Sequence, residues 1–331
     1  MNNNAWVKYR LPGETTITAF SGEEFINAKA ESLGNSRYFI YSPFSLDKLL
    51  CGFKIADEKS TPCEIVLTDY TGSSQSHSKE EYVALVSETV HRITSGAFQK
   101  VVHSRFKFVP ANVNPETIFN ALVAEFPSAF VYLLNSPAYG TWCGATPEVL
   151  LVEKNNNWLT MALAGTRKLS ENNSAWSPKD IAEQGIVAAL IYDKLSNTRV
   201  TFSQGESYTR PAGSIAHICS DFIITDIREN SFVSLAQHLH PTPAICGYPV
   251  NEAYLRIYGV EKNSRELYSG LLGISDSNKS GNLFINLRCT RLFKNGIRIH
   301  AGGGINAFSD PLKEWEETEI KMKTILDVIN L

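Results

Sequence analysis

The stretch LFINLRCTRLFKNGIRIHA, residues 283–301, indicates the fold class of this chain most directly. Apolar and β-branched residues fill three consecutive runs, Leu283–Cys289, Thr290–Lys294 and Ile297–Ala301, and Asn295-Gly296 is a dipeptide that favours a type I′ hairpin turn. This pattern predicts a β-meander. Because such short connections join antiparallel strands only, the sheet that contains the stretch should be antiparallel.

Short apolar runs separated by Gly, Pro and Asn also occur earlier in the chain, and they predict a second antiparallel series. The β-branched and aromatic segment Lys100–Val109 (KVVHSRFKFV) predicts one more strand, ahead of that series. The predicted strands of the series are Ala129–Asn135, Tyr139–Ala145, Val149–Glu153 and Trp158–Ala164.

Helices are predicted in separate blocks, as judged by apolar spacing and by capping residues. Regular alternation of strand and helix is absent, which argues against a doubly wound dinucleotide fold. The sequence therefore predicts an α+β protein with large, mostly antiparallel sheets. The predicted helices are residues 82–96, the segment from Asn114-Pro115 to Pro127, Asp180–Leu195, and the segment from Asp310-Pro311 to about Ile329.

The composition is that of an ordinary globular chain, with 331 residues, 43% hydrophobic and 20% charged residues, and a net charge of −3. This balance provides no basic surface for nucleic acid or an anionic membrane. The start, MNNNAWVKYRLPGE, lacks the pattern of a signal peptide, and no apolar stretch approaches the roughly 20 residues that span a bilayer. We expect a cytoplasmic protein without nucleic-acid or membrane partners.

The six cysteines are scattered along the chain without a C-x-x-C pair. In a chain of this length, that usage predicts reduced cysteines that act as small core side chains, rather than disulfides or a zinc site. They are Cys51, Cys63, Cys143, Cys219, Cys246 and Cys289.

Two predicted helices each carry a pair of acidic residues three positions apart. Glu314 and Glu317 share a face of the last helix with Lys321, and Asp180 and Glu183 form a pair early in another helix. Two such helices could meet around a hard cation, since Mg2+ takes one or two carboxylates and completes its shell with water and substrate oxygens. The alternative is a solvated helix face with a Glu317–Lys321 ion pair.

The glycine-rich segment Ala301–Ile305 and the nearby Arg288 are candidates for binding an anion. We expect the AGGGI segment to be a loop whose backbone N–H groups approach an anion, with a plain tight turn as the alternative. Arg288 is flanked by apolar residues in the predicted strand LFINLRCTRL. If its side chain points inward it needs an anionic partner, and a carboxylate would suit it in bidentate geometry.

Three further residues have two interpretations each. Lys100 opens an apolar strand, where it either extends to solvent or is desolvated and becomes a general base. Glu148 follows a proline between two strands. It is either a carboxylate in a turn or a carboxylic acid kept protonated by burial. His217, in an apolar context, would by itself be a core histidine with satisfied hydrogen bonds.

Taken in order, these segments resemble the chorismate-binding enzyme family, which includes isochorismate, salicylate, anthranilate and aminodeoxychorismate synthases. The resemblance covers roughly residues 80–331. It implies large antiparallel sheets packed as a sandwich with flanking helices, as in anthranilate synthase component I. The matching strings are FQKVVHSR (98–105), GATPEVLL (144–151), LAGTRK (163–168), KDIAEQGIV (179–187), HPTPAICGYP (240–249), RELYSGLLG (265–273), NLRCTRL (286–292), HAGGGI (300–305) and EWEETEIK (314–321).

The first 75 residues have no comparable match. The polar stretch Thr71–Glu81 (TGSSQSHSKEE) is the best candidate for a boundary. We expect residues 1–75 to be the N-terminal part of the fold and residues 76–331 to be the chorismate-binding catalytic region, within one structural domain. We also expect a monomer.

The resemblance implies roles for the acidic residues and for one lysine. Lys100 would activate water, and Glu148 would protonate the departing C4 hydroxyl of chorismate. The implied cofactor is Mg2+, which would bind the ring carboxylate of the substrate. Its direct ligands would be Glu183 and Glu317, and the residues that hold metal-bound water would be Asp180 and Glu314.

The resemblance also implies which groups bind the dianionic substrate. Arg288, Lys321 and the backbone at three glycines would receive the carboxylates, and His217 would lie in the pocket. One residue departs from the family pattern, since Gln184 stands where a histidine is common. The contacts that orient the neighbouring metal ligand Glu183 would therefore differ. The implied substrate-binding residues are Gly165, Thr166, His217, Arg288, Gly302, Gly304 and Lys321.

Single positions narrow the reaction within the family. Lysine at position 100 favours water over ammonia as the nucleophile, and Ala164 replaces the lysine that acts covalently in aminodeoxychorismate synthases. Ala244 is similar to the isochorismate-forming branch, whereas Tyr268 is also compatible with the salicylate-forming one. We predict the formation of isochorismate, a precursor of menaquinone or of catechol siderophores. The alternatives are a salicylate-forming enzyme, an inactive chorismate-binding protein and an unrelated metal-dependent hydrolase.

Overall fold

In a computed structural model of the chain, residues 4–55, 65, 67–171, 175–212, 215–227, 231–277 and 279–330 are described. The strands in this part of the chain are β1 (Asn4–Arg10), β2 (Thr18–Ala28), β3 (Tyr38–Ser42), β4 (Leu50–Lys54), β5 (Lys100–Pro110), β6 (Phe130–Ser136), β7 (Gly140–Thr146), β8 (Val149–Lys154), β9 (Asn157–Lys168), β10 (Thr201–Gln204), β11 (Tyr208–Ala212), β12 (Ile215–Asp226), β13 (Gly247–Tyr248), β14 (Leu271–Ser277), β15 (Ser280–Ile285), β16 (Cys289–Phe293) and β17 (Gly296–Ile305). The α-helices are α1 (Lys79–Thr94), α2 (Pro115–Glu125), α3 (Pro178–Ser196), α4 (Phe232–Leu239), α5 (Val250–Val260) and α6 (Pro311–Leu326), and short 3-10 helices occur at Ala30–Ser32 and Leu169–Glu171.

The strands form two antiparallel sheets that share β2. In the first sheet the order is β2-β1-β6-β7-β16-β17-β5-β13. In the second it is β2-β4-β3-β14-β15-β8-β9-β12, and β10 and β11 both pair with β12. Strands from the first 54 residues thus contribute to both sheets.

The two sheets pack face to face because their strands present alternate residues to opposite sides. In β6, Phe130 and Tyr132 join a core cluster with Phe284 and Leu272 of the second sheet, whereas Val131 joins a cluster on the outer face. The Phe130 and Phe284 rings stack with centroids 4.5 Å apart. Since both faces of such strands are buried, their sequences are almost continuously apolar.

Helices cover the outer faces of the sandwich. Apolar side chains of α3 and α4 pack on the second sheet, and those of α2 and α6 pack on the first. Helices α1 and α5 pack near β5. Capping fixes where these helices begin: Ser78 and Glu81 form a capping box at α1, and Asp310 accepts a hydrogen bond from the Lys313 N–H at α6. The predicted α+β sandwich with flanking helices is confirmed.

The predicted meander over residues 283–301 is wrong in its first part. Strand β15 pairs with β14 and β8 in the second sheet, and β16 pairs with β7 and β17 in the first. The chain therefore crosses between the sheets at residues 286–288, and Arg288 lies outside a strand with φ at 49°. The buried Asn286 anchors the crossing, because it accepts a hydrogen bond from the Tyr132 hydroxyl at 2.6 Å and donates one to Leu267 O at 2.9 Å.

The predicted type I′ turn at Asn295-Gly296 is also wrong. Gly296 pairs with Phe293, so the turn residues are 294 and 295, and neither has the positive φ of a type I′ turn. Gly296 instead provides space, since a Cβ there would lie 2.5 Å from the Phe108 ring. The type I′ angles occur at Asn155 and Asn156, with φ values of 54° and 60°, between β8 and β9.

The cysteines within the described residues are buried in the core clusters and are free thiols, namely Cys51, Cys143, Cys219, Cys246 and Cys289. Cys63 lies outside the described residues. Among the helices in the described part of the chain, none combines the length and the apolar character that crossing a membrane requires.

Candidate active site

One cavity collects most of the predicted site residues from distant parts of the chain. Its walls come from β9, α3, β12, β17 and α6, and from the segments around residues 148, 244, 268 and 288. Three predicted site residues do not line it, namely Lys100, Asp180 and Glu314. Lys100 contacts Glu183 of the cavity wall, and Glu314 contacts Lys179. The predicted residues that line the cavity are Glu148, Gly165, Thr166, Glu183, His217, Arg288, Gly302, Gly304, Glu317 and Lys321.

The glycine-rich segment is not a loop, and this prediction is wrong. Gly302, Gly303 and Gly304 lie in β17 and pair with Ser104, His103 and Val102 of β5. These glycines matter because they have no side chains. A Cβ on Gly304 would lie 2.2 Å from Glu183 Oε1, and a Cβ on Gly303 would lie 2.9 Å from Glu314 Oε2. The strand therefore allows carboxylates from α3 and α6 to approach the sheet closely.

Three buried or half-buried carboxylates near the cavity each contact an ammonium group. Lys100 Nζ lies 2.9 Å from Glu183 Oε1, and Lys321 Nζ lies 2.7 Å from Glu317 Oε1. Lys179 Nζ lies 2.7 Å from Glu314 Oε1 and 3.7 Å from Glu317 Oε2. The predicted Glu317–Lys321 ion pair is therefore present.

The alternative of a solvated acidic face on α6 is wrong, because Glu314 is only 1% exposed. Burial, and then the charge of Glu317, raises the pKa of Glu314. Burial alone would also raise the pKa of Glu317, but the ammonium groups of Lys321 and Lys179 lower it overall. Glu317 is thus the carboxylate that stays ionised at the cavity wall.

Lys100 is desolvated rather than extended to solvent. It is the first residue of β5, pairs with Tyr248 of β13, and its side chain is fully buried. Its ammonium can therefore reach only groups inside the protein, of which Glu183 is the charged one in contact.

Glu148 is an acid kept protonated by burial. The residue lies between β7 and β8, its N–H donates to Thr146 Oγ1, and that hydroxyl donates to Ile285 O. Burial raises the pKa of Glu148 to about 8, against the lowering effects of Arg210 and Lys100. At neutral pH this carboxyl is therefore mostly a proton donor that faces the cavity.

Arg288 presents a buried guanidinium to the cavity without a carboxylate partner in the described part of the chain. Its Nη1 donates to Thr324 Oγ1 at 3.3 Å, and no described Asp or Glu oxygen lies within 4.0 Å. Burial lowers the pKa of Arg288, which shows how poorly its charge is compensated. Such a group binds a ligand carboxylate well, because its planar fork matches the two oxygens.

His217 has a defined tautomer. Nδ1 lies 2.7 Å from Gly165 O, so Nδ1–H donates to that carbonyl, and Thr166 Oγ1 lies 3.4 Å from the same nitrogen. Burial, and then the charge of Arg288, lowers the pKa of His217 to about 3. The ring is therefore neutral and contributes Nε2 as a hydrogen-bond acceptor.

Comparison with known proteins agrees with this geometry. A family model described as "Chorismate binding enzyme" matches residues 53–330. The chain belongs to the chorismate-binding enzyme family. The predicted membership is confirmed.

One relative resembles this family member in sequence, and two solved structures resemble it in fold. The isochorismate synthase EntC of Escherichia coli K12 is 30% identical over 246 residues, which cover 70% of this chain and 62% of the E. coli protein. The structure of the menaquinone-specific isochorismate synthase MenF from E. coli superimposes with a TM-score of 0.81 at 18% identity, over 98% of this chain and 88% of MenF. Anthranilate synthase component I from Streptococcus pneumoniae TIGR4 gives 0.71 at 16% identity, over 98% and 92%.

The carboxylates at the cavity of this family member are the type of ligand that Mg2+ prefers. Glu183 and Glu317 line one cavity from two helices, and Gly304 leaves the space that Glu183 needs. No group of three His, Cys, Asp or Glu side chains in the described residues is close enough to enclose a metal. Mg2+ needs no such group, because it takes one or two carboxylates and fills its octahedron with water and substrate oxygens.

Two residues of α3 need comment beyond the sequence predictions. No role was predicted for Lys179, and the effect of Gln184 was left open. Lys179 contacts both acidic residues of α6, and only its place beside Asp180 could have drawn attention to it. Gln184 is buried and donates to Ser220 Oγ at 2.9 Å, which fastens α3 to β12 next to Glu183. Asp180 accepts a hydrogen bond from Ser177, its helix N-cap, and lies close to Gly165.

Proposed function

We propose that this chain is a Mg2+-dependent isochorismate synthase that adds water to C2 of chorismate as the C4 hydroxyl leaves. The observation that carries the proposal is the placement of a protonated carboxyl, Glu148, in the same cavity as the guanidinium of Arg288, which has no carboxylate partner among the described residues. Membership in the chorismate-binding family gives the substrate class. The similarity to the isochorismate synthase EntC of E. coli K12 supports the choice of product.

The charges at the cavity wall suit a dianionic substrate. Arg288 and Lys321 bring positive charge to its wall, and neutral His217 offers an acceptor for a substrate hydroxyl. Lys321 is held by Glu317 Oε1 at 2.7 Å and by Gly302 O at 2.8 Å, which fixes the direction of its ammonium. Two fixed cations can thus receive two carboxylates.

The reaction needs one base and one acid. Lys100 is the base, and its contact with Glu183 must open before the neutral amine can take a proton from water. Glu148 is the acid that protonates the departing C4 oxygen, which its burial and raised pKa allow at neutral pH. Each group contributes about 10^2–10^4-fold to the rate.

Mg2+ would be held directly by Glu183 and Glu317, with Glu314 and Asp180 binding its water molecules. Bound there, it would hold the ring carboxylate and draw electron density from the ring. Both direct ligands already lie at the cavity wall, and both now contact lysines instead.

The test is incubation of the full chain with chorismate, with and without Mg2+, followed by chromatography of the products. Isochorismate that forms only with Mg2+ is the expected result. Salicylate together with pyruvate would show that the enzyme also eliminates the side chain. Tight binding of chorismate without turnover would show an inactive binding protein, and either outcome would overturn the proposal.

A further inference from the structure

Lys179 links the two acidic helices of the site. It is the second residue of α3, and its ammonium extends to α6, where it lies 2.7 Å from Glu314 Oε1 and 3.7 Å from Glu317 Oε2. Lys179 therefore contacts one proposed water-holding carboxylate and one proposed direct ligand of the cation.

The contact is the main compensation for a deeply buried charge. Neither oxygen of Glu314 makes a hydrogen bond of regular geometry to a residue in the described ranges. An ionised carboxylate without hydrogen-bond partners is costly to bury unless a charge of opposite sign lies close by. The Lys179 ammonium is that charge, and it lies at the distance at which a metal-bound water would donate to the same oxygen.

Three of the carboxylates proposed for the cation site already have an ammonium partner before any cation enters. Three carboxylates face three ammonium groups in the contacts Glu183–Lys100, Glu317–Lys321 and Glu314–Lys179. A divalent cation must therefore compete with ammonium groups that already contact the ligand oxygens. Of these, Lys100 and Lys321 have roles toward the substrate, whereas Lys179 has none.

We propose that Lys179 is an internal counter-ion that competes with the divalent cation for Glu314 and Glu317. This inference rests on the proposed function, because it assumes that Mg2+ binds between α3 and α6. When the cation binds, the ammonium of Lys179 withdraws from the carboxylates toward solvent, which is accessible because its side chain is already 22% exposed. The affinity of the free enzyme for the cation is therefore set partly by this lysine.

The test is calorimetric titration of the full chain with MgCl2 in the absence of chorismate. Lys179→Met removes the charge and keeps the length of the side chain, so Mg2+ should bind at least about tenfold more tightly than in the wild type. Lys313→Met is the matched control, since Lys313 is an exposed lysine on the same helix as Glu314, and its loss should change the affinity less than about twofold. Glu317→Gln should abolish or strongly weaken binding.

Unchanged or weaker Mg2+ binding by Lys179→Met would overturn the inference, because the lysine would then support the ligands rather than compete for them. Lys179→Gln, which keeps a donor for Glu314, gives the same comparison if the methionine variant does not fold. If the wild type binds Mg2+ and neither variant binds it more tightly, only this inference fails. If wild type and variants all fail to bind Mg2+, the metal dependence in the proposed function fails, and the inference fails with it.

Discussion

Replacing Glu148 with Gln should change how stability depends on pH. Burial raises the pKa of Glu148 from 4.5 to about 8, so the folded protein holds this proton more tightly than the unfolded chain does. The stabilisation is complete below pH 4.5 and is lost as the pH rises to about 8. Since each pH unit is worth about 1.4 kcal/mol, ionising Glu148 should cost the folded state up to about 5 kcal/mol.

Urea unfolding of the wild type and of Glu148→Gln between pH 5 and pH 9 measures this cost. The neutral amide has no proton to lose, so the stability of the variant relative to wild type should increase from pH 5 to about pH 8 and then level off. Glu153→Gln is the control, because Glu153 is exposed on β8 and should leave the pH dependence unchanged. Parallel curves for wild type and Glu148→Gln would refute the argument from burial.

The same substitution tests the role of Glu148 in turnover. A proton donor with a pKa of about 8 is protonated in roughly nine-tenths of molecules at pH 7 and in about one-tenth at pH 9, so kcat should fall through this range. Glu148→Gln should lower kcat by about 10^2–10^4-fold at pH 7. Chromatographic rates that match the wild type would remove Glu148 as the acid.

Four other substitutions test separate parts of the structure. Lys100→Met should lower chorismate turnover by about 10^2–10^4-fold with an unchanged circular dichroism spectrum, and near-normal turnover would exclude it as the base. Arg288→Lys keeps the charge but loses the planar fork, so the KM for chorismate should rise roughly tenfold, and an unchanged KM would contradict its role. Gly296→Ala, whose Cβ would meet the Phe108 ring at 2.5 Å, should lower the free energy of unfolding by about 1–3 kcal/mol. Gly185→Ala, which has open space on α3, should raise it by up to about 1 kcal/mol, and equal effects in urea denaturation would refute the packing argument.

The fold class could be predicted from sequence because turn residues separate short apolar runs along most of the chain. Helix positions followed from local chemistry too, as at α6, where Asp310 caps the helix that was predicted to begin there. The prediction failed at residues 283–301, since the strands on both sides of the crossing are short and largely buried, and their local pattern does not show which sheet each one joins. The polar Asn286 is the one residue in that crossing whose chemistry marks the change of sheet.

The site could be predicted only in part for a different reason. Helical spacing places Glu317 and Lys321 together, and the structure has that ion pair. Spacing says nothing about burial, so a solvated acidic face and a cavity wall have the same sequence pattern. The association of α3 with α6 came from the family resemblance, and the contact of Lys179 with Glu314 could not be predicted because it joins two helices far apart in the chain.

The crossing between the sheets also places two opposing requirements on the residue at position 288. Arg288 adopts φ of 49°, a left-handed conformation that costs an ordinary residue roughly 1–2 kcal/mol and costs glycine almost nothing. Backbone stability alone would therefore favour glycine at this crossing, whereas the proposed binding of a substrate carboxylate requires the guanidinium. A library randomised at position 288 and selected only for resistance to heat should become enriched in glycine and asparagine. The same library, selected for growth that depends on the reaction product, should retain arginine.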